Sequence, residues 1–257
     1  MSRVKPVAIV NQDHYVNLAR RAALSNPGSI FVDQFENQSN FRAHYLNTGP
    51  EIWKQTDNGD VDAVIMGAGT GGTIAGVSRY LKERRPEIGV FLADPPGSSL
   101  YNKVKYNVAY SPEQAERRLR RHRYDTIIEG VGLDRVTNNF DQAIIDDAFS
   151  VSDEEAVAMS RFMLHREGLF IGSSSAMNLV AVIKMIRQFA IHDKQYKIVT
   201  LLCDSGNRHL SRFWNDEYLE EQRQMDMGSL HSEVQNSCDG VHTKDPSIPA
   251  DGLTFIH

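Results

Sequence analysis

The chain has 257 residues, 41% hydrophobic and 24% charged, with a formal charge of −5. That length supports a real core, the composition is that of an ordinary globular protein, and the acidic balance argues against nucleic acid or an anionic membrane as a main partner. No apolar run is long enough to span a bilayer, and the two cysteines, Cys203 and Cys238, are too far apart for a disulfide framework or a metal-ligand spacing, which points to a reducing compartment and no metal.

Pro6 to Val10 reads as a buried strand that starts almost at the first residue, with no leader segment. Asn11 or Asp13 can cap a helix from Tyr15 to Leu24, which Gly28 and Ser29 break. Ile30 to Val32 reads as a second strand, and Phe41 to Trp53 as a helix that Gly49-Pro50 must interrupt. The segment 37–53 carries Asn37, Asn40, His44, Tyr45, Thr48 and Glu51, and reads as a partly exposed helix and turn.

The most informative stretch follows. Ala63 to Met66 is a short apolar strand, Gly67 to Thr73 a glycine-rich turn, and Ile74 to Lys82 a helix closed by Pro86. Strand, glycine turn and helix together present bare backbone N–H groups and a positive helix end to an anion, and glycine lets a phosphate approach without a Cβ in the way. Thr70 and Thr73 add hydroxyls. Two ligands remain open from this stretch alone. Gly67, Gly69 and Gly72 fit the G-x-G-x-x-G of a dinucleotide fold, with Asp94 as the ribose acid. Alternatively Gly69-Thr70-Gly71-Gly72-Thr73 is a compact cup for a single phosphomonoester; a purely structural turn is the third reading.

Val90 to Asp94 is the next strand. Strands alternating with helices predict an α/β protein, a mostly parallel open sheet with helices on both faces, whose ligands sit at the C-terminal strand ends. Pro95 and Pro96 make an odd sequel to a ribose-binding acid. Tyr101 to Tyr124, with Arg117, Arg118, Arg120, Arg121 and Arg123, reads as a solvated insertion, and Ile127 to Gly132 as a glycine-spaced turn. Ser152 with Glu155 three residues on predicts a capped helix to about Arg166, stopped by Gly168. Leu169-Phe-Ile then breaks into Gly172-Ser-Ser-Ser175 before an apolar helix from Met177 to Phe189. Ile198 to Cys203 reads as a buried strand ending in the turn Asp204-Ser-Gly-Asn-Arg208. A last helix, Leu210 to Gln222, precedes a polar tail, so the expected division is a domain over 1–224 and a flexible tail over 225–257.

Three turns at strand ends now stand together: Gly69-Thr-Gly-Gly-Thr73, Gly172-Ser-Ser-Ser175 and Asp204-Ser-Gly206. With Asp33-Gln-Phe-Glu-Asn37, Asn40-Phe-Arg-Ala-His-Tyr45, Thr48-Gly-Pro-Glu-Ile-Trp53 and Leu92-Ala-Asp-Pro-Pro-Gly-Ser-Ser99, the chain over about residues 5–220 resembles the cysteine synthase / cystathionine β-synthase family, and is similar to its fungal members. These are pyridoxal-phosphate (PLP) enzymes of fold type II, the tryptophan synthase β-like fold. The resemblance favours one phosphate, that of PLP. It implies that Gly69, Thr70, Gly71, Gly72 and Thr73 bind that phosphate, that Ser174 hydrogen-bonds the pyridine nitrogen, and that Asp204 and Ser205 help close the pocket. A neutral hydroxyl on the nitrogen makes the ring a weaker electron sink, which suits β-elimination and replacement. The implied reaction is cysteine synthesis from O-acetylserine and sulfide, on a small amino-acid substrate.

The family's Ser-x-Lys motif, which supplies the Schiff-base lysine, and its Thr-Ser-x-Asn loop do not occur in this sequence. Lys5, Lys54, Lys82 and Lys184 fall in the wrong context, so no catalytic residue is assigned. The expectation is a homologue lacking its N-terminal third and inactive as this chain. The alternative is a fold-retaining, non-catalytic binding or regulatory partner of an intact enzyme. A homodimer, or a partner chain supplying the missing part, is the expected assembly, and cytosol and mitochondrion are both open as compartments.

Overall fold

The computed structural model describes residues 4, 7, 9–110, 126–189 and 195–230, with the side chains of 224–230 left aside. Its centre is a four-stranded sheet of β1 (Ala63–Gly67), β2 (Gly89–Asp94), β3 (Asp147–Ser150) and β4 (Ile198–Thr200), in the order β3-β2-β1-β4. Every pairing is parallel: Ile65 stands beside Phe91 on one side and Thr200 on the other. Both sheet faces are covered, as the unbroken apolar run of β1 requires.

Alternation along the strands divides the core in two. Ala63 and Ile65 of β1, with Phe91 and Ala93 of β2, pack against α6 (Asp153–Phe162) and α7 (Ser173–Gln188). Val64 and Met66, with Val90 and Leu92, face α4 (Gly72–Lys82) and also meet Ile52 and Leu100. Residues i and i+2 of a strand share a face, so one pleat feeds two cores. Ile65 and Leu92 are fully buried, each worth about 2 kcal/mol of apolar transfer. α4 turns Ile74, Ala75, Val77 and Leu81 inward.

The N-terminal part forms α1 (Tyr15–Ser25), α2 (Ser39–Leu46) and α3 (Thr48–Gln55). α2 crosses α4 where Gly76 has no side chain: a Cβ there would lie 2.5 Å from the Tyr45 nitrogen and 2.6 Å from the His44 Cβ. α5 (Ser99–Tyr106) follows β2, and α8 (Asp216–Leu230) closes the described chain. Among the described residues no helix is long and apolar enough to cross a membrane.

Several elements differ from the sequence reading. Ile9 and Val10 form a turn, not a strand, while Pro6 and Ala8 lie outside the described residues. Ile30 and Val32 are 83% and 76% exposed and pair with no strand among the described residues; β-propensity without a neighbouring ladder does not make a strand. The break in 41–53 falls at Asn47, and Gly49-Pro50 sits inside the first turn of α3, where proline's missing N–H costs nothing. β4 stops at Thr200, short of Cys203. The last helix, expected over Leu210 to Gln222, starts at Asp216 after turns over 210–214 and runs to Leu230. Residues 231–257 and the five arginines between 117 and 123 lie outside the described residues.

Candidate anion and cofactor site

From β1 the chain goes through α4 to β2 and on to β3 on one side, while β4 docks on the other side of β1. The direction of winding therefore reverses between β1 and β4. Parallel sheets open a crevice there, beyond the C-terminal strand ends. The turn Gly67–Thr73 and the segment Leu201–Ser205 leave the two strands at this point.

Asn178, from the first turns of α7, spans that switch point. Its Oδ1 accepts from the Gly67 N–H (2.8 Å), and its Nδ2 donates to the Leu201 carbonyl (2.9 Å) and lies 3.7 Å from the Cys203 sulfur. The side chain is buried. A polar group so placed holds two strand ends at fixed spacing, because breaking either bond would leave a partly buried backbone group without this partner.

The α4 start is unusual for what it lacks. Its cap is Gly71 at φ 86°, with no side-chain capping bond and no acidic residue in the first turn. The leading N–H groups of a helix have no partner within it, so this end offers donors and a positive dipole. Two hydroxyls flank it: Thr70 Oγ1 receives a hydrogen bond from Asn40 Nδ2 (2.8 Å), and Thr73 Oγ1 lies 3.1 Å from His44 Nε2. Thr137 Oγ1 donates to the Thr70 carbonyl (2.7 Å), tying the turn to the segment before Phe140.

The glycines of this turn are needed for a different reason from the one the sequence suggests. A Cβ on Gly69 would strike the Gly130 carbonyl, one on Gly72 the Asn40 amide, and one on Gly71 the Phe140 backbone (nitrogen at 2.6 Å). Protein, rather than ligand, occupies the side where each Cβ would stand. Gly71 carries a second constraint, its left-handed φ.

The α7 start is also capped by a glycine, Gly172, without a side-chain bond or a first-turn acid. Its serines divide their tasks. Ser173 Oγ accepts from Glu129 N–H (3.2 Å), and Ser175 Oγ accepts from Cys203 N–H (2.8 Å). Both fix neighbouring loops. Ser174 lies between them, its hydroxyl toward the exposed Cys203 thiol. Asp204 Oδ2 bonds His209 Nε2 (2.8 Å), while Asp204 Oδ1 and His209 Nδ1 are buried without a hydrogen-bond partner. Ser205 turns its hydroxyl to the Phe170 carbonyl (3.4 Å), and its backbone bridges Ile171.

The sequence-derived residues thus form two groups, Gly69–Thr73 at the α4 start and Ser174, Asp204 and Ser205 around the α7 start. The bridges between them are Asn178 and the Glu129-Gly130 turn, which touches Ser173 on one side and the Gly69 position on the other. Asn40, His44 and Asn178 escaped the sequence reading as site residues. Their signal was a polar side chain within an otherwise apolar or helical run, and the partners that tie them to the site, Thr70, Thr73 and Gly67, lie 29 to 111 residues away.

Asp94 does not serve a ribose. Its carboxylate is fully buried, with Oδ2 accepting from Tyr101 N–H (2.8 Å) at the start of α5. Burial pushes its pKa up to about 7, against the lowering pull of Ser98 and the Tyr101 N–H. Described lysines point elsewhere too: Lys82 Nζ meets Asp146 and the Pro86 carbonyl, and Lys184 Nζ meets Glu155 and the Ser150 carbonyl. No group of three His, Cys, Asp or Glu side chains that could hold a metal occurs among the described residues.

The residues present suit a phosphorylated ring cofactor: an acid-free helix start with two hydroxyls for the phosphate, and a hydroxyl on the neighbouring helix start for a ring nitrogen. Cysteine synthase 2 of Schizosaccharomyces pombe is 50% identical over 230 residues, covering 86% of this chain and 57% of that protein. Cystathionine beta-synthase of Saccharomyces cerevisiae is 32% identical over 213 residues, covering 81% of this chain and 40% of that one. The crystal structure of the O-acetylserine dependent cystathionine beta-synthase from Helicobacter pylori superposes with a TM-score of 0.62 at 31% identity, over 75% of this chain and 56% of that one. The chain therefore spans about half the length of the relatives it matches. A sequence model described as pyridoxal-phosphate dependent enzyme matches residues 6–204. With that match, the parallel sheet and these relatives agreeing, the chain belongs to the pyridoxal-phosphate dependent enzymes of fold type II, in the cysteine synthase / cystathionine β-synthase family.

Proposed function

We propose that the α4 start holds the phosphate of pyridoxal 5′-phosphate, with backbone N–H groups of Gly69–Thr73 and the Thr70 and Thr73 hydroxyls as donors, and that Ser174 faces the ring nitrogen. The observation that carries this reading is the α4 start itself, with a left-handed glycine cap, no side-chain cap and no first-turn acid. An anion there meets aligned donors and no carboxylate. When bound, the cofactor supplies an electron sink for an amino acid's Cα. The chain's own residues orient it: Asn178 fixes the spacing of the β1 and β4 ends, and Ser175 holds the Cys203-Asp204 turn beside Ser174. A neutral hydroxyl opposite the ring nitrogen favours loss and replacement of a β-substituent over reactions that need a protonated ring. The reaction class we propose is cysteine formation from O-acetylserine and sulfide.

We further propose that this chain alone binds the cofactor without carrying that reaction, the reactive amine coming from a partner chain. The described amines of Lys82, Lys105 and Lys184 are each paired with a carboxylate or carbonyl on other elements. Adding pyridoxal 5′-phosphate to the purified chain, reducing with borohydride and mapping adducts tests both parts. Saturable phosphate-dependent binding without one dominant lysine adduct is the expected result. A single stoichiometric lysine adduct would overturn the second part, and no saturable binding would overturn the first.

A further inference from the structure

The two cradle threonines are held by one helix. Asn40 and His44 stand one turn apart on α2, at the spacing that places side chains on the same helix face. A threonine hydroxyl has one hydrogen to donate and lone pairs to accept. What its neighbours do decides where that hydrogen points.

At Thr70 the answer is fixed. The Asn40 amide nitrogen lies 3.0 Å from the Gln34 carbonyl, which can only accept, so that atom is the NH2 group rather than the oxygen. Its second hydrogen goes to Thr70 Oγ1 at 2.8 Å. Thr70 accepts there and its own hydrogen is left for another acceptor. At Thr73 there are two answers. His44 lies between two hydroxyls, Thr48 Oγ1 at 2.9 Å from Nδ1 and Thr73 Oγ1 at 3.1 Å from Nε2. Burial lowers the His44 pKa, so the ring is neutral near pH 7 and carries one N–H. With the proton on Nδ1, Thr73 donates its hydrogen to His44. With the proton on Nε2, Thr73 accepts from His44 and donates elsewhere, while Thr48 donates to Nδ1.

We propose that Asn40 and His44 are positioning residues that turn the Thr70 and Thr73 hydroxyls into donors toward a phosphomonoester at the α4 start, and that binding of the phosphate draws His44 into its Nε2–H tautomer. This rests on the phosphate reading above. The linkage runs further, because Thr48 is the first residue of α3. Phosphate binding therefore reorients a hydroxyl at the start of a second helix through one imidazole.

The test uses pyridoxine 5′-phosphate and pyridoxine as a matched pair, since neither has an aldehyde to react with lysines. Affinities are read by fluorescence titration of the purified chain, and the His44 tautomer by imidazole 15N NMR. The intact chain is expected to prefer the phosphorylated probe and to move from mixed tautomers to Nε2–H as it binds. His44→Leu is expected to weaken the phosphorylated probe about tenfold and leave pyridoxine unchanged. His44→Gln, which keeps an N–H donor, should recover most of that loss, and Asn40→Ala should resemble His44→Leu. If the intact chain does not distinguish the two probes, the phosphate reading itself fails. If it does distinguish them but His44→Leu keeps the full preference, or both probes weaken equally, the positioning role is overturned. Should His44→Leu fail to fold, the tautomer in the intact chain decides: an Nδ1–H ring in the bound state sinks the proposal.

Discussion

The starts of α6 and α4 solve the same physical problem in opposite ways. At α6, Ser152 Oγ accepts from Glu155 N–H (3.3 Å), Glu155 Oε2 accepts from Ser152 N–H (2.9 Å), and Asp153, Glu154 and Glu155 bring negative charge to the positive helix end. Asp153 also accepts from Ile127 N–H (2.9 Å). At α4 a glycine stands where the cap would be, the first turn has no acid, and the nearest hydroxyls are held by donors from another helix. One end is finished by its own sequence. The other is assembled by distant residues and left open toward the sheet's switch point.

Breaking the open end should cost more than breaking the closed one. Gly71→Ala forces a side chain into left-handed backbone against the Phe140 nitrogen at 2.6 Å; a loss on the order of 3 kcal/mol, or failure to accumulate folded protein, is expected in thermal unfolding. Asn178→Leu leaves the Gly67 N–H and the Leu201 carbonyl unpaired and should cost roughly 2–4 kcal/mol in denaturant unfolding. A near-neutral result would show that the switch point does not depend on this amide.

Asp94, at the end of β2, gives a pH-dependent test. Its pKa is raised to about 7 in the fold, so between the unfolded carboxyl range and about pH 7 the native state holds a proton that the unfolded state releases. The stability it contributes is present below about pH 4 and is lost as pH rises through about 7. Asp94→Asn should flatten that fall in a series of unfolding curves from pH 4 to 8. An unchanged slope would mean the carboxylate ionises without penalty. The smallest effect is at the closed end: Ser152→Ala should cost about 1 kcal/mol and leave affinity for pyridoxine 5′-phosphate unchanged. A loss of that affinity would mean the two helix starts are not independent.

What could be read from the sequence follows the same division. Ser152 and Glu155 are three residues apart, so the α6 start was legible, as were β1, the glycine turn and β2 with its parallel neighbours. Ile30 to Val32 has strand-forming residues, but a strand is made by a partner and none among the described residues pairs with it. Gly49-Pro50 looked like a break because proline disrupts helix interiors; the chain instead broke at Asn47 and used Pro50 in the first turn of α3. At the site, the glycine turn and the three serines were visible as stretches. Asn40 and His44 were not assigned, since nothing local says that they reach Thr70 and Thr73 some 30 residues on. The reason for the glycines was misread likewise: the atoms that exclude a Cβ come from Asn40, Gly130 and Phe140, which only the fold brings near.

The docking of β4 on β1 sets an order of events. Thr200 Oγ1 donates to the Ile65 carbonyl at 2.7 Å across 135 residues of chain, whereas β2 pairs with β1 through one intervening helix. Closing the longer loop carries the larger entropy penalty and gives no ladder until it is complete, so contact-order reasoning predicts that the β1–β4 junction forms late. Asn178 and the Cys203-Asp204 turn depend on that junction. The α4 start then exists before the α7 start beside it, and a ligand gripping both would act as a latch on the final step. Pulse-labelling hydrogen exchange during refolding would show protection in β1 and β2 before β4; simultaneous protection would mean the sheet closes as one unit.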